Sequence, residues 1–544
     1  MARLKPTIKA ERYSFDKAPQ GVNISRSKFD LSHTHTTTMP IGKLVPVLAQ
    51  EVLPGDTWTI RPDMVARLLT PKAPTFGDLY LDCRAFFVPR RQVWDSWQEF
   101  CGENKTGYWT QTTSYSIPQL MDNSNDDYPV YAGSVLDHMG IPPGNGRSVD
   151  ACYARAYVKI WNEYYRDENL QPAAALYTGD NNTNIGDLSD PYTEAQKGGA
   201  LLPVCRLGDV FSRALPAPQK GPDIGIPINA LITNDTAKTV LFQPRWYNSS
   251  GAALGGDLGA ESDGDTVASS TAATGTAAHL SLRTTAGQIT VSDMRIAFAL
   301  QRMQERMARG GTRYRELLMA FFGVRNGDDR MQVPEELGHV RQRLNMQQVV
   351  QTSASNISGS DTPQGSTAAY SLTGMDGLLC DKSFTEHGIL LVVACVRAAH
   401  VYQQGVPRQF SRHNFVDFYL PAFAHLSEVA VLTKEIYASG IQPQDESVFG
   451  YQEAWYEYRS IPNQVSGEMR SSHPQSLDIW HYADDYASRP YLDSTWIEEP
   501  RANVDRTLVY GGSNHDELLL CAGFNIVADR PMPVHSIPGL IDHY

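Results

Sequence analysis

The chain has 544 residues, 42% of them hydrophobic, 10% aromatic and 20% charged, with a formal net charge of −13. Its 26 Tyr, 18 Phe and 9 Trp imply a large buried core and exclude disorder as the main state. The negative charge argues against nucleic-acid binding by bulk attraction, and the longest apolar run, Gly388–Val396, falls well short of the roughly 20 residues that a membrane-crossing helix needs.

Residues 1–40 read as a basic N-terminal arm. From Met1 to Lys28, Arg3, Lys5, Lys9, Arg12, Lys17, Arg26 and Lys28 stand against only Glu11 and Asp16, so the arm can touch phosphates locally. Its opening basic residues are not followed by an apolar stretch, so no signal peptide is expected and synthesis in a cytoplasm is. His33-Thr34-His35 fits polar residues of an extended arm better than a zinc pair, because two ligands do not make a site.

Alternating apolar positions then predict strands over Gly42–Leu53, Thr57–Leu69 (interrupted by Pro62) and Leu79–Phe87, the last stopped by Pro89. Leu53-Pro54-Gly55-Asp56 is the turn between the first two. Val93, Trp94, Trp97, Phe100 and Cys101 predict a short helix over Gln92–Cys101. Asp150 is placed to cap a longer helix carrying Tyr153, Tyr157, Trp161 and Tyr164. Residues 247–288 are mostly Gly, Ala, Ser, Thr and Asp, too poor in large side chains to build a core alone. Such a segment is an exposed loop or a module held by copies of itself. Ser292–Arg309 is a further helix, closed by Gly310-Gly311, and Thr312 caps another that runs to Gly323. Strands are predicted again over Ile389–Tyr402, Phe415–Leu420, Thr507–Tyr510 and Leu518–Val527. The pattern is mainly β, one large sandwich or barrel with excursions.

Chemistry-bearing motifs are few. Seven cysteines without a C-x-x-C pair read as buried free thiols rather than a disulfide framework or zinc cluster. Tyr482-Ala483-Asp484-Asp485 mimics the paired carboxylates that hold metals in polymerases, but its surroundings are the most acidic part of the chain: Ile441–Tyr544 holds 16 Asp+Glu against 6 Arg and no Lys. Arg295, Arg302, Arg306 and Arg309, with Arg313 beyond the glycine pair, recur on one face of a helix, either as a ridge that binds phosphate or a neighbouring subunit or as a solvated face. No Walker A, G-x-S-x-G, H-E-x-x-H or G-x-G-x-x-G sequence occurs, so no cofactor is expected. The rival enzyme reading is a β-sandwich carbohydrate-active or carbohydrate-binding protein using pairs such as Asp126-Asp127 or Asp484-Asp485.

Several stretches together are similar to one family. They are Leu53-Pro54-Gly55-Asp56-Thr57; Phe86-Phe87-Val88-Pro89-Arg90 with Trp94 and Trp97; Ala308-Arg309-Gly310-Gly311-Thr312-Arg313-Tyr314-Arg315-Glu316; Phe384-Thr385-Glu386-His387-Gly388; Tyr402-Gln403-Gln404-Gly405; Pro421-Ala422-Phe423-Ala424-His425; Phe449-Gly450-Tyr451-Gln452-Glu453; and Pro538-Gly539-Leu540-Ile541-Asp542-His543. In this order they resemble the major capsid protein of the Microviridae, small single-stranded DNA phages, and particularly its gokushovirus branch; residues 104–290 carry little of the likeness.

That resemblance implies a single jelly-roll β-barrel over residues 41–544 with long loop insertions at 104–290 and a few short helices. It implies a structural, non-enzymatic subunit of an icosahedral T=1 shell of about sixty copies around circular single-stranded DNA. Partners would be an internal scaffolding protein, a DNA-pilot protein, a small basic DNA-binding protein and a receptor on the bacterial host, with assembly in the host cytoplasm and residence in the virion. Segment 247–288 would stand at the threefold axis and meet the host, with Ser249, Gly256, Asp263, Thr271 and Thr276 as candidate attachment positions. Arg3, Lys5, Lys9, Arg12, Arg295, Arg302, Arg306 and Arg309 are the candidates for contact with DNA or a neighbouring subunit.

Overall fold

The structure is a computed structural model that describes residues 25–103, 113–121, 129–221, 246–247, 253–254, 258–260, 267–269, 291–310, 313–323, 332–352, 355–357, 360–362, 364–365, 367–510 and 515–535. Its principal strands are β1 (Ser27–Asp30), β2 (His33–Met39), β3 (Val45–Val52), β4 (Thr57–Leu68), β5 (Leu79–Pro89), β6 (Glu335–Arg343), β7 (Thr373–Asp376), β8 (Cys380–Ser383), β9 (Gly388–Ala398), β10 (Glu428–Leu432), β11 (Val448–Glu453) and β12 (Leu518–Arg530). The principal helices are α1 (Ala151–Ile160), α2 (Val291–Gly310) and α3 (Tyr314–Phe322). The chain is mainly β and is organised in several sheets.

Two sheets dominate. In the first, β1 and β2 both pair with β12, β12 pairs with β4, and β4 pairs with β7 and β8. In the second the order is β6-β5-β9-β3, every pair antiparallel. A strand late in the chain, β9, is thus inserted between two early ones. Of the expected basic arm, Ser27–Asp30 and His33–Met39 are strands of the first sheet.

Side-chain alternation explains β4. Trp58, Ile60, Met64, Ala66 and Leu68 point inward while Arg61, Asp63, Val65 and Arg67 face water. Pro62 does not interrupt the strand as expected. On that edge β8 pairs through Ile60 and β7 begins at Asp63, so Arg61 and Pro62 fall in the interval between two partners, where a missing N–H costs little. β9 is buried along nearly its whole length, which explains its continuous apolar run. One core joins both sheets to α1, with Trp58, Trp94, Tyr157 and Trp161 fully enclosed. Each enclosed large apolar side chain contributes roughly 1.5–3 kcal/mol.

Asp150 caps α1 as expected, its carboxylate accepting from Cys152 N at 2.8 Å. The helix continues as a π-helical turn, Trp161–Tyr165, and its rings are anchored to the core backbone by Tyr157 Oη donating to Leu44 O (2.7 Å) and Trp161 Nε1 to Pro203 O (2.6 Å).

Five local expectations are corrected. Gln92–Cys101 is not one helix: a 3-10 turn at Arg90–Gln92 and a helical turn at Trp97–Phe100 replace it. Arg90 is clamped between Glu51 (3.1 Å) and Asp150 (2.7 Å), and Asp95 N bonds Thr178 O (3.0 Å), so tertiary bonds pull the chain off the helical path. Phe415–Leu420 is not a strand, because the Asp417 carboxylate accepts from His413 N (2.8 Å) and Asn414 N (2.7 Å) and curls the chain into a 3-10 turn. Thr507–Tyr510 is a turn after the helix Ala502–Asp505, with Thr507 Oγ1 bonded to Val504 O at 2.7 Å. Before α3 the N-cap position belongs to Arg313, whose N–H donates to Glu316 Oε2 at 3.1 Å; Thr312 lies outside the described residues. All seven cysteines are free, but only Cys83, Cys152, Cys380 and Cys395 are buried, Cys101 and Cys521 being exposed.

The chain divides into two compact units, Met1–Pro218 with Ala308–Tyr544, and Gln219–Met307. The expected insertion 104–290 is therefore split between them. Tyr157, Trp161 and Leu202 take part in the large core of the first unit. The second unit contains two small antiparallel pairs, Trp246–Tyr247 with Ala253–Leu254 and Leu258–Ala260 with Val267–Ser269, and α2 up to Met307.

Candidate interaction surface

Residues 406–461 leave an unusual amount of apolar surface in water. Phe410, Phe415 and Ile461 are 72%, 74% and 83% exposed, and Val416, Phe418, Tyr419, Leu426 and Tyr458 are also exposed. The underlying reason is local: three short 3-10 turns, Arg408–Ser411, Phe415–Asp417 and Pro421–Phe423, cannot bury one face as a helix or strand would.

Phe418, Tyr419 and Tyr458 are nonetheless held in place. The Arg412 guanidinium lies over Phe418 (5.1 Å) and Tyr458 (4.7 Å) and pairs with Glu457 at 3.1 Å. Tyr419 meets Trp455 edge-on at 5.6 Å, and Trp455 Nε1 donates to Phe423 O at 2.9 Å. Trp455 itself adopts a left-handed φ of 65°, a conformation that its neighbours must enforce. Beneath Phe410 and Ile461 lies a cavity of about 220 Å³, lined also by Tyr402, Arg408, Tyr456 and Val465. Fixed aromatic rings, stacked arginines and a receptive hollow are the makings of a protein–protein contact.

A second constellation is buried. Asp484 accepts from Arg206 Nη1 (3.0 Å) and Asn503 Nδ2 (2.6 Å) and lies 3.0 Å from His400 Nδ1. His400 Nε2 lies 3.0 Å from Glu499, whose other oxygen accepts from Ala398 N at 3.0 Å. Burial disfavours the His400 imidazolium, but Glu499 and Asp484 outweigh it and raise its pKa to about 10. Burial likewise opposes the Asp484 carboxylate, yet Arg206 and His400 bring its pKa down to about 2. This cluster ties distant segments together. It also accounts for the Tyr482-Ala483-Asp484-Asp485 motif: Tyr482 Oη is bonded to Thr75 (2.6 Å), both Asp484 oxygens are engaged inside the protein, and Asp485 accepts from Gln404 (3.1 Å). Among the described residues no group of three His, Cys, Asp or Glu side chains is arranged to hold a metal ion.

The arginine ridge divides. Arg295, Arg302 and Arg306 are exposed on α2, with no ion pair to another described residue. Arg309 instead pairs with Glu428 of β10 and Glu453 of β11, the latter at 3.5 Å. Arg313 is half-buried against Glu168 (3.2 Å) and Glu316 (3.4 Å) and donates to Asn162 O (3.0 Å), so it fastens α3 rather than facing a ligand. Arg3, Lys5, Lys9 and Arg12 lie outside the described residues, as do Ser249, Gly256, Asp263, Thr271, Thr276 and the Asp126-Asp127 pair. The sequence reading missed both the aromatic surface and the buried cluster. A run of Phe, Tyr and Pro between turns was a visible sign of the first; Arg206 and Asp484 are too far apart in sequence for any local sign of the second.

Comparison with known proteins agrees with this picture. The family model described as capsid protein (F protein) matches residues 18–540. The chain is 37% identical to capsid protein VP1 of Spiroplasma virus 4, over 96% of both chains. It is 33% identical to capsid protein VP1 of Chlamydia phage 1 over 99% of both, and 34% identical to that of Bdellovibrio phage phiMH2K over 98% of both.

Proposed function

The chain belongs to the phage capsid F-protein family, and from that membership we propose that it is the repeated subunit of an icosahedral T=1 shell of about sixty copies. Its place is the virion, and its work is structural. The observation that carries this reading is the rigid, exposed aromatic surface at residues 406–461: a solitary chain leaves such surface wet, whereas a tiled one covers it. The two sheets on one core, with β9 inserted between β3 and β5, support a single jelly-roll barrel as the building block.

Moderate contacts repeated around each subunit become strong together. The shell encloses circular single-stranded DNA without catalysing any reaction. Because the chain is acidic overall, a small basic DNA-binding protein neutralises most of the genome, and Arg3, Lys5, Lys9 and Arg12 supplement it from the inner face. Arg295, Arg302 and Arg306 serve DNA or a neighbouring subunit. An internal scaffolding protein directs assembly in the host bacterial cytoplasm, a DNA-pilot protein accompanies the genome, and segment 247–288, with Ser249, Gly256, Asp263, Thr271 and Thr276, meets the host receptor at the threefold axis.

The test is sedimentation and electron microscopy of the protein expressed with its scaffold. Closed particles are expected; monomers and dimers alone would remove the proposal. Deleting 247–288 should leave particles intact and lower adsorption to host cells, whereas failed assembly would make that segment part of the shell.

A further inference from the structure

Next to the buried ion cluster is an open cavity of about 320 Å³ that none of the contacts above uses. Its wall combines the end of the π-helical turn after α1, the segment Cys205–Arg213, Arg84 from β5 and Arg397 from β9. Five arginines line it (Arg84, Arg166, Arg206, Arg213 and Arg397) against two carboxylates, Asp167 and Glu168.

Three of these arginines are already satisfied from behind. Arg84 faces Glu336 at 3.5 Å, Arg206 faces Asp484 at 3.0 Å, and Arg397 pairs with Asp82. Arg166 and Arg213 have no carboxylate partner among the described residues. Neither acid of the wall supplies one: Glu168 pairs with Arg313 (3.2 Å), and Asp167 accepts from the Asn169 and Leu170 amides (2.9 Å each).

Behind the wall lie polar groups without a partner among the described residues: the hydroxyl of Tyr165, which is only 8% exposed, and the buried Nε groups of Arg84, Arg166 and Arg397. These atoms have almost no accessible surface, so it is the guanidinium ends along the wall, above all Arg166 and Arg213, that a ligand with several acceptors would meet. Gly208 contributes by absence: a Cβ there would collide with the Arg213 guanidinium, which needs that space to lie over the wall.

We propose that this cavity is an oxyanion site for phosphate, either inorganic phosphate or a phosphodiester of single-stranded nucleic acid. Arginine forks match phosphate oxygens in pairs, and a tetrahedral anion offers more acceptors than a carboxylate. The inorganic arm rests on this geometry alone. The nucleic-acid arm also rests on the shell reading, so the two can fail separately.

The experiment is calorimetric titration of the full-length protein with inorganic phosphate and, separately, with a short single-stranded oligodeoxynucleotide, for the parent and for Arg166→Gln, Arg213→Gln and Gly208→Val. Thermal melting confirms that each variant is folded; the two arginines have no internal carboxylate to orphan. Phosphate binding by the parent, weakened about tenfold or more in each variant, is the expected result. If oligonucleotide affinity falls in parallel and phosphate competes, the source is the nucleic-acid backbone; if only phosphate binds, it is the free anion. No saturable phosphate binding by the parent, or equal binding by all variants, overturns the site. So does loss of particle assembly in variants of a parent that binds no phosphate, since the cavity would then receive a neighbour's carboxylate.

Discussion

His400 is an imidazolium held between two carboxylates, and its stabilising effect depends on pH with a definite sign. With its pKa raised from 6.5 to about 10, the contribution is complete below pH 6.5 and is lost as pH rises through 10. Asp484, lowered from 3.8 to about 2, contributes fully above pH 3.8 and is lost as pH falls through 2. The stability difference between the parent and His400→Gln should therefore be flat from pH 4 to 6.5 and shrink toward pH 10, as read from urea midpoints. A difference that stays constant to pH 10 would show that the imidazolium does not matter. Replacing Arg206 by Ala strands Asp484 inside the protein and should cost about 3–5 kcal/mol, measured by the same unfolding series. None of this was legible in the sequence, where Asp484 stands out only through a misleading tetrapeptide and His400 through nothing.

At the scale of elements, strands were read more reliably than their connections. The alternation in β4 and the apolar run of β9 reflect burial on one face and on both, which period alone encodes. Asp150 was readable as a cap because its bond to Cys152 N spans two residues. The segments at Gln92–Cys101 and Phe415–Leu420 were misread because partners outside the segment, or a carboxylate bonding back to its own backbone, decided their path. Turns between elements also carry strict requirements. Gly42, between β2 and β3, has a φ of +77°, and a Cβ there would stand 2.5 Å from Glu499 O. Gly42→Ala combines backbone strain with a clash against main chain and should destabilise by about 1–3 kcal/mol in chemical denaturation. An unchanged midpoint would mean that the turn has slack.

For the whole molecule, the decisive question is which surface another copy covers. Phe410 and Ile461 are exposed, so Phe410→Ser with Ile461→Ser should change the stability of the isolated chain by no more than about 0.5 kcal/mol. The same pair should sharply reduce the yield of closed particles in sedimentation. A variant that assembles like the parent would move the subunit contact elsewhere on the surface.

Taken by itself, the sequence determined the class of the protein. Its aromatic content demanded a core, its periodicities placed β3, β4, β5, β9 and β12 among the principal strands, and its ordered motifs pointed to the family that the comparisons show. What waited for the tertiary structure was everything made by residues far apart in the chain: the Arg206–Asp484–His400–Glu499 cluster, the division of the arginine ridge, and the arginine-lined cavity. The reason is physical. Periodicity and capping are set by neighbours within a few residues, whereas charge pairing and cavity walls are set by whichever distant segments packing brings within about 4 Å.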